Sequence, residues 1–160
     1  MKPLVSILIP AYNAGPWVAD AIHSALRQSW PQREIIVVDD GSKDDTLAIA
    51  QRFAGAGVTV VTQKNAGAAA ARNAAFALSK GDYIQWLDAD DLLADDKIAR
   101  QMERVEKNPD KKILWSSEWG RFLYRPCRAH FESTPLCADQ PPVEWLVRKL
   151  ALNLHMLMSG

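Results

Sequence analysis

Long apolar runs are missing from this chain of 160 residues, and so is any excess of one charge sign. No stretch approaches the ~20 consecutive apolar residues that a membrane-spanning helix needs, so we expect no transmembrane segment. The 19 basic side chains balance the 19 acidic ones. Because no net positive field attracts nucleic acid, we expect no nucleic-acid partner.

Cysteine and histidine are too few to form a metal-binding pattern. The two cysteines, Cys127 and Cys137, and the three histidines lack the spacing of metal ligands. A chain of this length builds its core without cross-links, so we expect reduced thiols and a cytoplasmic location, in bulk or at the inner face of the membrane. The P-loop pattern G-x-x-x-x-G-K-[ST] is also absent, which argues against a P-loop nucleotide enzyme.

The first two thirds of the chain alternate between strand and helix patterns. Short runs rich in β-branched residues, such as "LVSILIP", are followed by longer segments with apolar residues at helical spacing. The predicted strands are 4–10, 33–42, 58–64 and 82–91, and the predicted helices are 15–30, 43–55, 66–81 and 94–109. This order predicts an α/β fold, with a mostly parallel sheet that has helices on both faces.

Local signals predict where some of these helices begin and end. Ser42 and Asp45 have the spacing of a capping box before the second helix, and Gly55 is typical of its end. In the fourth helix, Ile98 and Met102 belong to one apolar face. The alanine-rich third helix is expected to pack closely against the sheet.

The alternation stops after residue 110. One or two strand-like runs follow, and residues 143–158 have helical spacing with a very apolar face. We therefore predict a core at residues 1–118 and the incomplete start of a second region at residues 119–160. The apolar face of residues 143–158 predicts self-association, because large apolar patches are rarely left exposed.

Unusual polar clusters follow each of the four predicted strands. In open parallel sheets, ligands bind beyond the carboxyl ends of the strands, so these clusters are expected to meet at one edge. Any one of them is compatible with a simple turn, but four in succession indicate a binding site. The clusters are residues 10–13, 39–42, 64–67 and 88–91.

The acidic end of the fourth strand, in "YIQWLDADDLL", predicts a divalent cation. Asp88 and Asp90 stand two residues apart, and Mg²⁺ or Mn²⁺ takes carboxylate oxygens together with phosphate oxygens of a substrate. The cation would offset the repulsion between these carboxylates. In the alternative interpretation, Asp91 caps the next helix and Asp88 is solvated, which leaves Asp90 unexplained.

The remaining clusters suit a nucleotide. The Tyr12 ring offers a face on which a base can stack, and Asp39 or Asp40 can accept a hydrogen bond from a base imide or a ribose hydroxyl. Arg72 can reach diphosphate oxygens. The alternatives are a structural tyrosine, a charge at a helix start and an ordinary salt bridge.

Two other α/β classes share parts of this pattern. A metal-dependent nucleotidyltransferase would have a glycine-rich, basic loop after the first strand, where this chain has "PAYNAG". A receiver domain would have its paired acids after the first strand, whereas here the pairs follow the second and fourth.

Four ordered motifs, "VSILIPAYNAG", "EIIVVDDGSKDDT", "NAGAAAARNAAF" and "GDYIQWLDADDLL", resemble the N-terminal half of a family-two glycosyltransferase with the GT-A fold. The resemblance covers residues 3–118. It implies a Rossmann-like nucleotide-diphospho-sugar transferase fold and a nucleotide-sugar donor, usually a UDP-sugar. It also implies Mn²⁺ or Mg²⁺ as cofactor, and transfer with inversion to a saccharide, lipid-linked or other acceptor.

The resemblance also implies roles for individual residues. Pro10 and Tyr12 match the base-binding loop of the family, and Asp40 matches its base-contacting aspartate. Asp88 and Asp90 match the DXD motif, in which Asp90 is the metal ligand. The residues that match the donor-side loop and helix are Asn65, Gly67 and Arg72.

One part of the family pattern has no match. The catalytic base of the family is a carboxylate well downstream, so it is expected beyond residue 160. Glu132, Asp139 and Glu144 do not resemble its motif. The resemblance thus implies a C-terminally truncated GT-A fold that forms a donor-binding half. The alternative is a non-catalytic nucleotide-sugar-binding module without a base.

Overall fold

The structure is a computed structural model that describes residues 2–55, 57–107, 120–122, 129–131, 140–141, 143–145 and 147. The chain divides into two compact units, and the division falls between Arg104 and Val105. The predicted boundary at residue 118 lies outside the described residues.

The first unit alternates strands and helices in the predicted order. Its strands are β1 Val5–Ala11, β2 Arg33–Asp39, β3 Val58–Thr62 and β4 Tyr83–Trp86. The helices that follow them are α1 Val18–Leu26, α2 Thr46–Gln51, α3 Ala68–Leu78 and α4 Lys97–Lys107, of which α4 continues past the division.

All four strands are parallel, in the order β3-β2-β1-β4. The central position of β1 explains its apolar sequence, because Ile7, Leu8 and Ile9 are fully buried between two layers of helices. On one face, Leu8 packs in a cluster with Ala71 and Ala75 of α3. The other layer contains α1 and α2, which contact each other and the sheet. The predicted α/β architecture is confirmed.

The small side chains of α3 explain its closeness to the sheet. Ala71 and Ala75 are fully buried, whereas Phe76 on the outer side of the helix is exposed. A helix presenting alanine lets its backbone approach a sheet, which agrees with the packing expected from the sequence.

Two predicted helix starts are wrong. The residue before α2 is Asp45, and its side chain makes no capping hydrogen bond. Ser42 lies earlier, in the β2–α2 loop, where its hydroxyl accepts a hydrogen bond from Asn13 N at 3.0 Å. The capping box does not form because the Ser42 hydroxyl bonds a neighbouring loop. Similarly, α4 begins at Lys97, so Asp91 lies too far upstream to cap it.

A buried lysine joins the start of α4 to β4. The Lys97 ammonium donates a hydrogen bond to Gln85 Oε1 of β4, and both side chains are buried. Burial lowers the pKa of Lys97 to about 7, since removal from water disfavours the charged form.

Little of the second unit falls within the described residues. A short antiparallel pair joins β5 Gly120–Arg121 to β6 His130–Phe131, and residues 143–145 and 147 are helical. The rest of the predicted helix 143–158, with its proposed self-association, lies outside them, as do the cysteines, Glu132 and Asp139. Across the described part of the chain, no helix has the length and apolar character to cross a membrane.

Candidate active site

A cleft of about 440 Å³ lies at the carboxyl ends of β1, β2 and β4. Every residue predicted to bind donor or metal lines it, apart from Asp39. These predicted lining residues are Pro10, Tyr12, Asp40, Asn65, Gly67, Arg72, Asp88 and Asp90. The clusters that follow the four strands therefore meet in one site, as the strand pattern suggests.

Asp39 and Asp40 are adjacent but lie in different surroundings. The Asp39 side chain is buried outside the cleft, where its carboxylate accepts hydrogen bonds from Thr62 Oγ1 at 2.9 Å and from Ser42 N at 3.3 Å. It therefore ties the end of β2 to β3. Asp40 lines the cleft.

Asp40 anchors the loop between β3 and α3. Its Oδ1 accepts hydrogen bonds from Gln63 Nε2 at 2.7 Å and Ala66 N at 2.9 Å. Its Oδ2 accepts from Gly67 N at 2.8 Å and Asn65 Nδ2 at 3.2 Å. The Gln63 amide and then the Ala66 amide lower the pKa of Asp40, so the carboxylate stays ionised and holds this loop in place.

Gly41 allows the same loop to approach. Its φ is +69°, in the left-handed region that favours glycine. A Cβ at this position would lie 2.8 Å from Asn65 N, which is too close for a non-bonded contact. The glycine in "DDGS" is therefore needed both for its backbone angle and for the space it leaves.

Four hydrogen bonds fasten the β1–α1 loop to the β2–α2 loop. Asn13 N donates to Ser42 Oγ, and Asn13 Oδ1 accepts from Lys43 N at 2.9 Å. Gly15 N donates to Asp44 Oδ2 at 3.0 Å. The fourth bond joins Ala14 N to Thr46 Oγ1 at 2.7 Å.

We call these four hydrogen bonds the latch. It is partly buried, and the backbone at Asn13 is slightly strained. Thr46 is fully buried, and its hydroxyl also donates to Asp44 Oδ1, a bond that lowers the pKa of Asp44. Asn13 adopts a φ of +48°, which is uncommon for residues other than glycine but is tolerated by asparagine. These bonds hold the β1–α1 loop, which lines the cleft, in place without a ligand.

The acidic end of the cleft contains one ion pair. Arg72 Nη2 of α3 lies 2.7 Å from Asp88 Oδ1, and both side chains are partly exposed. Asp90 is exposed and makes no hydrogen bond or ion pair with another described residue. Within the described ranges, no group of three or more acidic, histidine or cysteine side chains is arranged to hold a metal ion. A cation here would need oxygens from a ligand as well.

Comparison with known proteins decides the family. Residues 6–133 match Glycosyl transferase family 2. The chain belongs to this family. It is 43% identical over 105 residues to a putative teichuronic acid biosynthesis glycosyltransferase, TuaG, of Bacillus subtilis, a match that covers 64% of this chain and 42% of that protein. It is 41% identical over 108 residues to the chondroitin synthase of Escherichia coli, covering 66% and 16%.

Solved structures agree on the GT-A fold. The TarS 1-349 structure from S. aureus, in complex with UDP, superposes with a TM-score of 0.63 at 23% identity, over 66% of this chain and 33% of that one. A mannosyltransferase from Pyrobaculum calidifontis, in complex with GDP-Man and Mn²⁺, gives a TM-score of 0.61 at 28% identity, with the same coverage. The chain thus spans less than half the length of these relatives.

The sequence alone did not point to every cleft residue of this family member. Both Asn13 and Trp17 line the cleft; Asn13 lies in the predicted 10–13 cluster without an individual role, and Trp17 lies outside all four clusters. The "YN" pair in a loop after a strand was a usable signal for Asn13. Trp17 falls within the predicted first helix. Only the structure shows that its side chain is exposed and lines the cleft together with Tyr12.

Proposed function

We propose that this chain is the donor-binding part of a glycosyltransferase that uses a nucleoside-diphosphate sugar, with a UDP-sugar as the preferred donor. The observation that carries the proposal is the shared cleft. It brings together Asp40 from the loop after β2, Arg72 from α3 and Asp88 from the loop after β4. Two fold relatives support the donor class, since one was solved in complex with UDP and the other in complex with GDP-Man.

The two ends of the cleft suit the two ends of such a donor. Tyr12 is 46% exposed and offers an aromatic face near Asp40, which suits a base. Arg72 lies at the opposite, acidic end and carries the positive charge that a diphosphate needs. The donor would therefore lie across the end of β1, with its base towards β2 and its diphosphate towards β4.

The residues at the acidic end fit a divalent cation. Asp90 is exposed without a partner among the described residues, and Asp88 uses Oδ1 for Arg72, so both retain carboxylate oxygens for Mn²⁺ or Mg²⁺. The cation would supply positive charge that stabilises the diphosphate as the sugar leaves it. Asp88 and Asp90 would hold it, and oxygens of the donor would complete its ligands.

The acceptor hydroxyl must lose a proton when the sugar is transferred with inversion. Asp40, Asp88 and Asp90 are the carboxylates among the described cleft residues, and each already has another role. We therefore propose that the base is a carboxylate other than these three, and the family resemblance favours a position beyond residue 160. The same observation supports a second candidate function for these residues by themselves, a nucleotide-sugar-binding module without catalysis.

Calorimetric titration tests the proposed donor site. UDP, GDP and dTDP are titrated into the chain with and without Mn²⁺, and we expect the tightest binding for UDP with the cation. Asp90→Asn is expected to weaken Mn²⁺-assisted UDP binding at least tenfold, which corresponds to about 1.4 kcal/mol. Asp96→Asn removes an equal charge from the surface outside the cleft and serves as the matched control.

The result that would contradict the metal assignment is equal UDP affinity with and without Mn²⁺. Failure of all three nucleotides to bind would contradict the donor site itself.

A further inference from the structure

Trp17 is an exposed tryptophan at the mouth of the cleft. It lies directly before α1, its side chain is 52% exposed, and it lines the cleft together with Tyr12. Its indole makes no hydrogen bond to another described residue. Trp30 shows the usual arrangement by contrast, since it is 4% exposed and its Nε1 donates to Pro3 O at 3.0 Å.

The backbone around Trp17 is held firmly. Trp17 N donates to Ala14 O at 2.9 Å, and Ala14 N in turn donates to Thr46 Oγ1. Because the backbone is already held, a ligand that covers the ring has to order only its two side-chain torsions, which favours binding.

The strand order shows which end of the cleft Trp17 serves. Its loop is latched to the β2–α2 loop, which begins directly after Asp40. The acidic residues Asp88 and Asp90 follow β4, and β4 lies on the other side of β1. Trp17 therefore belongs to the loop that is joined to the Asp40 side of the cleft, the end proposed for the nucleoside.

We propose that Trp17 stacks on the nucleobase of the donor and forms, with Tyr12, an aromatic pair at the nucleoside end of the cleft. This inference rests on the proposed function and adds a residue that binds the nucleoside part of the donor. Both rings come from the same latched loop, and stacking of a base on an aromatic side chain tolerates different bases. The pair favours nucleotides over free diphosphate whichever base is present.

Three ligands and three variants test the proposal. UDP, GDP and inorganic pyrophosphate are each titrated with Mn²⁺ into the wild-type chain, Trp17→Ala, Trp17→Phe and Phe76→Ala. Phe76 is 58% exposed on α3 outside the cleft, so its removal is a matched control for loss of an exposed ring. Circular dichroism confirms that each variant is folded.

We expect Trp17→Ala to weaken UDP and GDP binding about tenfold, within the range reported for loss of one stacked base, and to leave pyrophosphate binding unchanged. Trp17→Phe should retain most of the affinity because it keeps an aromatic face. We also expect UDP to quench tryptophan emission in the wild type, and most of this quenching should be lost in Trp17→Phe.

The outcomes separate the inference from the function on which it rests. If the wild type binds UDP and Trp17→Ala binds it equally well, the inference is overturned and the donor site stands. An equal loss for UDP and pyrophosphate also overturns it, because Trp17 would then act on the shape of the loop. If the wild type binds neither nucleotide, the donor site fails, and the inference with it.

Discussion

At the scale of single residues, the sequence identifies motifs better than it separates neighbours within them. "VVDD" predicts two acids at the end of a buried strand, and both are there. Which of the two lines the cleft depends on hydrogen-bond partners far along the chain. The Asp39 carboxylate bonds Thr62 outside the cleft, whereas Asp40 accepts hydrogen bonds from residues 63–67. No local pattern around residues 39 and 40 contains that information.

Asp40 is predicted to read the base as well as to anchor its loop. We expect Asp40→Ala to reduce the preference for UDP over CDP. The reason is that cytosine lacks the imide N–H that can donate a hydrogen bond to the Asp40 carboxylate. The loss of four loop contacts should also lower the melting temperature. Calorimetric titration of both nucleotides and thermal unfolding measure the two effects separately.

The UDP-to-CDP affinity ratio decides this prediction. A ratio in Asp40→Ala equal to that of the wild type would show that main-chain groups read the base and that Asp40 only anchors the loop. Asp82→Ala, in which an exposed acid loses a hydrogen bond to Leu4 N away from the cleft, is a suitable control.

At the scale of elements, the sequence predicts strands and helices well and helix starts poorly. The eight elements of the first unit appear in the predicted order, since apolar periodicity determines them locally. The start of α2 is wrong because Ser42, Asp44 and Thr46 bond the β1–α1 loop. Residues that usually cap helices serve here to join two loops, a choice that depends on tertiary structure.

The Thr46 hydroxyl is expected to be the strongest part of the latch. Thr46→Val keeps the shape of the side chain but leaves the buried Ala14 N without its acceptor, which should cost about 1–3 kcal/mol of unfolding free energy. Urea denaturation measures this loss. UDP binding should also weaken, because the loop carries Tyr12 and Trp17.

Thr46→Ser and Thr59→Val are the controls for that experiment. Serine retains the hydroxyl and should restore most of the stability. Thr59 is exposed on β3, so its conversion to valine should change stability by less than about 0.5 kcal/mol. Equal stability of Thr46→Val and the wild type would show that the Thr46 hydroxyl contributes nothing to the stability of the fold.

At the scale of the whole molecule, the carboxylates among the described cleft residues are Asp40, Asp88 and Asp90, and the proposal gives each of them a role other than that of the base. The matched relatives are much longer, since the chain covers 42% of TuaG and 33% of the TarS structure. The predicted donor motifs are local and fall within residues 10–91. The acceptor side has no comparable motif within the described residues.

We therefore expect residues 1–160 alone to transfer sugar very slowly or not at all. General base catalysis typically contributes ~10²–10⁴-fold, and that contribution should be missing. Slow hydrolysis of a UDP-sugar should persist, because water needs no acceptor site and the proposed cation would still stabilise the departing diphosphate. UDP release is measured with and without a panel of acceptors, beside light scattering to follow self-association.

One variant tests the role of the cation in this measurement, and a second variant is the control. Asp90→Asn should abolish the slow hydrolysis if the cation is held at the acidic end of the cleft. Glu144→Gln should leave it unchanged, since the base is assigned outside this chain. Rapid transfer by the wild-type chain would show instead that one of its own carboxylates, Glu132, Asp139 or Glu144, serves as the base, and the assignment of the chain to donor binding alone would then be wrong; its loss in Glu144→Gln would identify Glu144.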